Sequence, residues 1–144
     1  MLSALIAMSL LAPQPVLAGY LPAWRTAKYD FSRLAPLTDV LYFSIQPTVE
    51  GGLNLKDINM ANLPRLAEAK KKYGFRLLIC AGGWERGEGF VPTASDPAKT
   101  ARFVRESLAF CDKHGFDGID LDWEHPKTPA EGKLYGELIQ ALRT

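Results

Sequence analysis

From Gly19 onward, short apolar runs alternate with stretches of helical period, which predicts parallel βα units whose sheet is covered on both faces. Four strands are expected. The first is Gly19-Tyr20-Leu21, leading into Pro22-Ala23-Trp24, and the second runs from Asp39 to Ile45, ended by Gln46-Pro47. The third, Arg76 to Ala81, stops at Gly82-Gly83, and the fourth runs from Phe116 to Trp123.

The helices between them have readable ends. Asp96 is placed to cap one, with Pro97 at its first position and Gly115 just past its end. Ala101, Val104, Leu108 and Cys111 recur along it at helical spacing, as a stripe expected to face the core. A second helix spans about Asn62 to Tyr73, with Leu63, Leu66 and Ala67 inward and Gly74 closing it. A third starts at Thr128-Pro129, has Glu131 in a capping-box arrangement, and carries Leu134, Leu138, Ile139 and Leu142.

The strand starts at 39, 76 and 116 recur at a near-constant interval. Eight such units need roughly 300 residues, within the size range of a closed (β/α)8 barrel. These 144 residues hold about four. The expected fold is therefore α/β, of TIM-barrel type, with the first four βα units present as a half barrel. A free-standing four-stranded parallel sheet is the alternative, and it would leave an apolar edge unpaired.

A composition of 47% hydrophobic and 23% charged residues is that of one ordinary globular unit. Seventeen Lys and Arg stand against sixteen Asp and Glu, scattered without a basic stripe, so nucleic acid is not an expected partner. Cys80 and Cys111 form no CxxC and adjoin no His cluster, and read as separate apolar thiols rather than a disulfide or a zinc site.

The N-terminus differs from this average. Leu2 to Leu11 is apolar apart from Ser3 and Ser9, and Val16-Leu17-Ala18 follows Pro13 and Pro15. This resembles a secretory apolar region with a small-residue cleavage site before Gly19, although no Lys or Arg precedes it. The run is shorter than the about 20 residues a bilayer span needs. Residues 1–18 are thus expected to be a signal peptide and 19–144 the domain, giving a secreted or periplasmic protein with no membrane contact after cleavage. The bland alternative is a buried first helix.

Chemistry is concentrated on the fourth strand, in Asp117-Gly118-Ile119-Asp120-Leu121-Asp122-Trp123-Glu124. Strand alternation points Asp120, Asp122 and Glu124 one way and Ile119, Leu121 and Trp123 the other. The apolar set has an ordinary reading as packing against helices. Three carboxylates about 6.6 Å apart do not, because they repel one another and are costly to bury. Repulsion and burial raise at least one pKa, so one group can stay protonated while another is ionised, as acid catalysis at an acetal requires. Glu124, at the carboxyl end of the strand where parallel barrels place their chemistry, is the natural proton donor. A divalent-cation site made of the same carboxylates is the competing reading. Asp117 falls on the opposite parity and is expected to be structural.

The Asp117 to Glu124 stretch resembles the Asp-x-x-Asp-x-Asp-x-Glu signature of glycoside hydrolase family 18, the chitinases and their relatives. Cys80-Ala81-Gly82-Gly83-Trp84 is similar to that family's Ser-x-Gly-Gly motif on strand three, and Ala94-Ser95-Asp96-Pro97 with Arg102-Phe103 to its next loop and helix. The resemblance covers Gly19 to about Leu142.

It implies Glu124 as general acid and later base, Asp122 as the residue that orients and stabilises the substrate's acetamido group, and Asp120 as the partner that holds Asp122. It also implies substrate-assisted retention, in which the sugar's own 2-acetamido oxygen is the nucleophile. The implied substrate is a polysaccharide or oligosaccharide containing N-acetylglucosamine, with no metal and no organic cofactor. Trp84 is the foremost sugar platform it suggests. Tyr20 and Phe43 are further candidates that core packing would explain equally well, and Gly83, with Gly82, would let the backbone approach the ligand.

The sequence departs from the family at Cys80, where a Ser is usual, and at His125, where a Tyr is common. A Tyr and a Trp that the family supplies from later strands have no counterpart among these four units. Two half barrels could therefore associate to close a ring. Two rival functions carry over with the resemblance: an endo-β-N-acetylglucosaminidase acting on glycoprotein or cell-wall glycans, and a non-catalytic carbohydrate-binding member, against which Glu124 speaks.

Overall fold

A computed structural model describes residues 15–143. Four parallel strands lie side by side in the order β1 (Ala18–Pro22), β2 (Asp39–Pro47), β4 (Arg76–Gly82) and β5 (Gly118–Asp122). Helix α1 (Leu63–Tyr73) connects β2 to β4, α3 (Pro97–His114) connects β4 to β5, and α4 (Pro129–Leu142) follows β5. This is the first half of a (β/α)8 barrel, as the sequence predicts. Among the described residues β1 and β5 each have one unpaired edge. No helix of that set is long and apolar enough to cross a membrane.

The helix ends follow the capping residues. The Asp96 carboxylate accepts from the N–H groups of Ala98 and Lys99, satisfying two donors that a helix start leaves free. Gly74 and Gly115 close α1 and α3 in the left-handed conformation. At α4 the Thr128 hydroxyl accepts from Glu131 N–H, while the Glu131 carboxylate reaches back to the N–H of Lys127.

The core lies between the sheet and its helices. Val40, Tyr42, Leu77, Ile79 and Ala81 project from one sheet face and are buried against Leu66, Phe103, Phe110 and their neighbours. Cys80 and Cys111 are both buried and free.

Four expectations need correction. On α3 the buried stripe is Phe103, Ser107, Phe110 and Cys111, whereas Ala101 and Leu108 are exposed and Val104 half-buried. The helix carries two apolar stripes, and the one with aromatic volume took the sheet. The other lines an open groove of about 940 Å³ against α4. On α1 Ala69 is buried and Ala67 only half-buried, and on α4 Leu138 is buried while Ile139 is exposed. Strand β5 is shorter than the apolar run around it, because Trp123 leaves the ladder to stack on Phe90.

Two elements have no counterpart in the sequence reading. A two-residue strand, β3 (Leu53–Asn54), folds back antiparallel onto Gln46 and Pro47. A five-residue helix, α2 (Phe90–Ala94), lies between β4 and α3. The presumed leader falls on residues 1–14, outside the described residues, except for 15–18. Of those, Leu17 donates its N–H to the Thr38 hydroxyl and accepts the Thr38 N–H at its carbonyl, and Ala18 opens β1 beside Asp39.

Candidate active site

The carboxyl ends of the four strands form one rim, and the side chains there come from all of them. Register aligns Pro22, Phe43, Cys80 and Asp120 in a row across the sheet, with Gly82 beside Asp122 one step further along. Tyr20, Phe43, Cys80, Asp120 and Asp122 consequently share the face turned away from the helices.

Distant residues complete the acid ladder. Tyr20 donates its hydroxyl to Asp120 at 3.0 Å, and the Cys80 thiol lies 4.0 Å from an Asp122 oxygen. Burial, then the charges of Glu124 and Asp120, with the polar side chain of Glu124 a smaller influence, hold the Asp122 carboxyl above the ordinary carboxylate range. Burial also pushes the Tyr20 hydroxyl and the Cys80 thiol well up, each reinforced by Asp120, so both stay protonated as donors toward the acids.

Glu124 lies beyond the end of β5, and its position is set by Trp123. That indole is buried, stacks on Phe90 with centroids 5.0 Å apart, and meets Tyr135 edge-on. Tyr135 in turn donates to the carbonyl of Leu121. A stacked aromatic pair contributes about 1 kcal/mol beyond its area burial, which makes α2 and α4 anchors for the acid between them. Glu124 remains about one-third exposed, with the His125 imidazole 3.9 Å away. A cleft of about 490 Å³ opens beside it, between the loop after β4 and the start of α4.

The two glycines after Cys80 have no room for a side chain. A Cβ on Gly82 would stand 2.3 Å from the carbonyl oxygen of Asp122, and one on Gly83 would stand 2.3 Å from the Phe43 ring. Both have φ near +108°, which a side chain disfavours as well. Gly83 N–H donates to Asp122 C=O at 2.7 Å, so the turn ties β4 to β5 at the level of the acids.

Aromatic rings border the rim. Trp84 is two-thirds exposed and touches His125 edge-on. Phe43 meets Tyr20 and Trp24 edge-on at centroid distances of 6.1 and 5.9 Å. The structure thus brings together Glu124, Asp122, Asp120, Tyr20, Phe43 and Gly83, with Trp84 adjoining through His125. Sequence reading missed Trp24 and Arg86, which meet Phe43 on the same rim, and Asp57, which pairs with Arg86. The exposed Trp24, directly after a strand, was the one available signal.

Asp117 stands at the other end of the strand. It binds the Lys70 ammonium at 2.6 Å and accepts the N–H of Leu77 at 2.8 Å, a structural tie between β5, β4 and α1. Among the described residues no group of three or more His, Cys, Asp or Glu side chains is arranged to hold a metal ion.

The sequence profile of Glycosyl hydrolases family 18 matches residues 16–144. The chain belongs to glycoside hydrolase family 18. Within the family it is similar to a chitinase-like effector of Moniliophthora roreri, 30% identical over 110 residues covering 75% of this chain and 27% of that protein. An endochitinase of Brugia malayi is 39% identical over 72 residues, covering 49% of this chain and 14% of that protein. The chain therefore spans about a quarter or less of the length of these curated relatives. Among solved structures, the group IV chitinase of Ostrinia furnacalis in complex with allosamidin superposes with a TM-score of 0.80 at 25% identity, covering 90% of this chain and 40% of that one. A chitinase from Rhizomucor miehei gives 0.77 at 22% identity, covering 90% and 43%. The family 18 barrel is thus present here as its first half, with the acid ladder on its rim.

Proposed function

We propose that this chain is the acid-bearing half of a chitinase-like hydrolase that cleaves β-1,4 linkages in chitin or chito-oligosaccharides. The observation that carries the reading is the ladder of Asp120, Asp122 and Glu124 at the carboxyl end of β5, in which burial and the neighbouring acids raise the Asp122 carboxyl above its ordinary range. The chitinase relatives and the allosamidin-bound neighbour support the same substrate class.

In this reading Glu124 gives its proton to the glycosidic oxygen as the bond from C1 to that oxygen breaks. The 2-acetamido oxygen of the sugar forms a new bond to C1, and the positive charge spreads over an oxazolinium ring. The Asp122 carboxyl faces the acetamido N–H and accepts it as that charge develops, while Asp120, fixed by Tyr20, compensates Asp122. A water then attacks C1 as the bond from C1 to the acetamido oxygen breaks and the acetamido group is restored, Glu124 takes the water's proton, and the anomeric configuration is retained. Such positioned proton transfer contributes about 10²- to 10⁴-fold.

The test is hydrolysis of a fluorogenic di-N-acetylchitobioside by the protein and by its Glu124→Gln variant. A drop of about 10²-fold or more is expected, and an equal rate in the variant would reject the assignment. Export belongs to the same reading, supported by the apolar run from Leu2 and the small residue Ala18. Cleavage there leaves all of β1 except Ala18. N-terminal sequencing of secreted protein should begin at Gly19, and a mature chain that begins at Met1 would overturn this point.

A further inference from the structure

The Arg86 side chain is given no role in the proton transfer above, yet it is tied to several parts of the rim at once. Its guanidinium donates to Asp57, which also accepts from Gln46 at 3.1 Å. It lies over the Phe43 ring at 5.5 Å and over the Trp24 ring at 5.8 Å. Its backbone N–H is held by the carbonyl of Gly83 at 3.0 Å. Arg86 thus joins the loop after β4, the connection between β3 and α1, the turn that follows β1 and the middle of β2.

Asp57 pairs with the Arg86 charge, whose field at the rim is the least of the influences on the Cys80 thiol, so the contribution of Arg86 to the cleft is chiefly position. Trp24 is more than half exposed, and the contacts that orient its ring are Phe43 at its edge and the Arg86 guanidinium. Across the sheet, Trp24 stands three strand spacings from Glu124, about 14 Å at about 4.8 Å per strand. A ligand seated at Glu124 reaches Trp24 only if it is longer than a disaccharide.

We infer that Arg86, braced by Asp57, is a positioning residue for the far wall of the cleft, fixing Trp24 against the edge of Phe43 so that longer chito-oligosaccharides bind more tightly than short ones. This rests on the oligosaccharide-cleaving reading above and goes beyond it by assigning length preference to an ion pair outside the acid ladder. Lysine would keep the charge but lacks the flat face that lies on the rings, so it should not substitute.

The test is calorimetric binding of chitotetraose and chitobiose to the Glu124→Gln protein and to the same protein carrying Arg86→Ala, Arg86→Lys or Asp57→Asn. Arg86→Ala should weaken tetraose binding about fivefold or more while leaving chitobiose within about twofold, with Arg86→Lys close to it. Asp57→Asn should give a smaller loss of the same kind. Equal losses for both ligands, or an unchanged tetraose affinity, would overturn the inference and leave the enzymatic reading standing. If the Glu124→Gln protein binds neither sugar, the substrate reading falls and takes this inference with it.

Discussion

Asp117 and Asp122 lie five positions apart on one short segment, and the fold treats them in opposite ways. Asp117, at the amino end of β5, meets a lysine and a backbone donor, and those donors, led by Lys70, hold its carboxyl below the usual range despite the opposing effect of burial. Asp122, at the carboxyl end, meets two other acids, and burial with their charges raises it. The chemistry of a carboxylate is therefore decided by which end of a parallel strand it occupies. At one end helices return and bring cations and closing turns. At the other the strands open into loops, and like charges can be crowded where a ligand reaches them.

The largest expected effect that would break this contrast is kinetic. Asp122→Asn should cut turnover by about 10²-fold or more, whereas Asp117→Asn should leave the rate within a few-fold, measured on the same fluorogenic substrate. Comparable losses from both would show that the two ends are not functionally distinct. Stability should separate them next, and with opposite sign. Asp117→Asn should cost about 1 kcal/mol in denaturant unfolding, since the partly exposed Lys70 pair adds little to the Leu77 bond. Asp122→Asn should stabilise at neutral pH by up to about 1 kcal/mol, because it removes a crowded charge.

The pH dependence sharpens the same point. The stabilisation from Asp117 is complete above its unfolded pKa of about 3.9 and is lost as pH falls through its lowered native value. For Asp122 the penalty begins as pH rises past that unfolded value and is fully present above its raised native value. Unfolding midpoints across acid pH should flatten on the low side in Asp117→Asn and on the high side in Asp122→Asn. The smallest effect is expected from Cys80→Ser. A hydroxyl donates more strongly than a thiol at 4.0 Å, so the variant should lower the native Asp122 value and move the acid limb of unfolding slightly toward that of Asp122→Asn.

Much of this contrast was legible before any coordinates. The acid ladder, the parity that sets Asp117 aside, and the capping residues Asp96, Gly115 and Thr128 are local signals, encoded within a few residues of where they act. What escaped was non-local. The bond from Tyr20 to Asp120 spans a hundred positions and depends on register between strands that are not neighbours in the sheet. Helix α2 is five residues long with Pro92 inside it, too short to show a period, yet its Phe90 anchors Trp123. The α3 stripe was misread because periodicity finds apolar positions but not which of two stripes fills more volume. Arg86 and Asp57 gave no signal at all, since an isolated Arg and Asp in loops read as solvated surface.

The contact between Gly82 and Asp122 has a consequence for how such proteins can vary. Asp120 and Asp122 could be exchanged for other polar residues without disturbing the backbone, so the chemistry can drift toward a lectin. The two bare positions before Trp84 cannot, because even a methyl group would push Asp122 of β5 away from Gly82 and the Phe43 ring away from Gly83. In a saturation library selected only for solubility, those glycines should survive after the acids themselves have been lost.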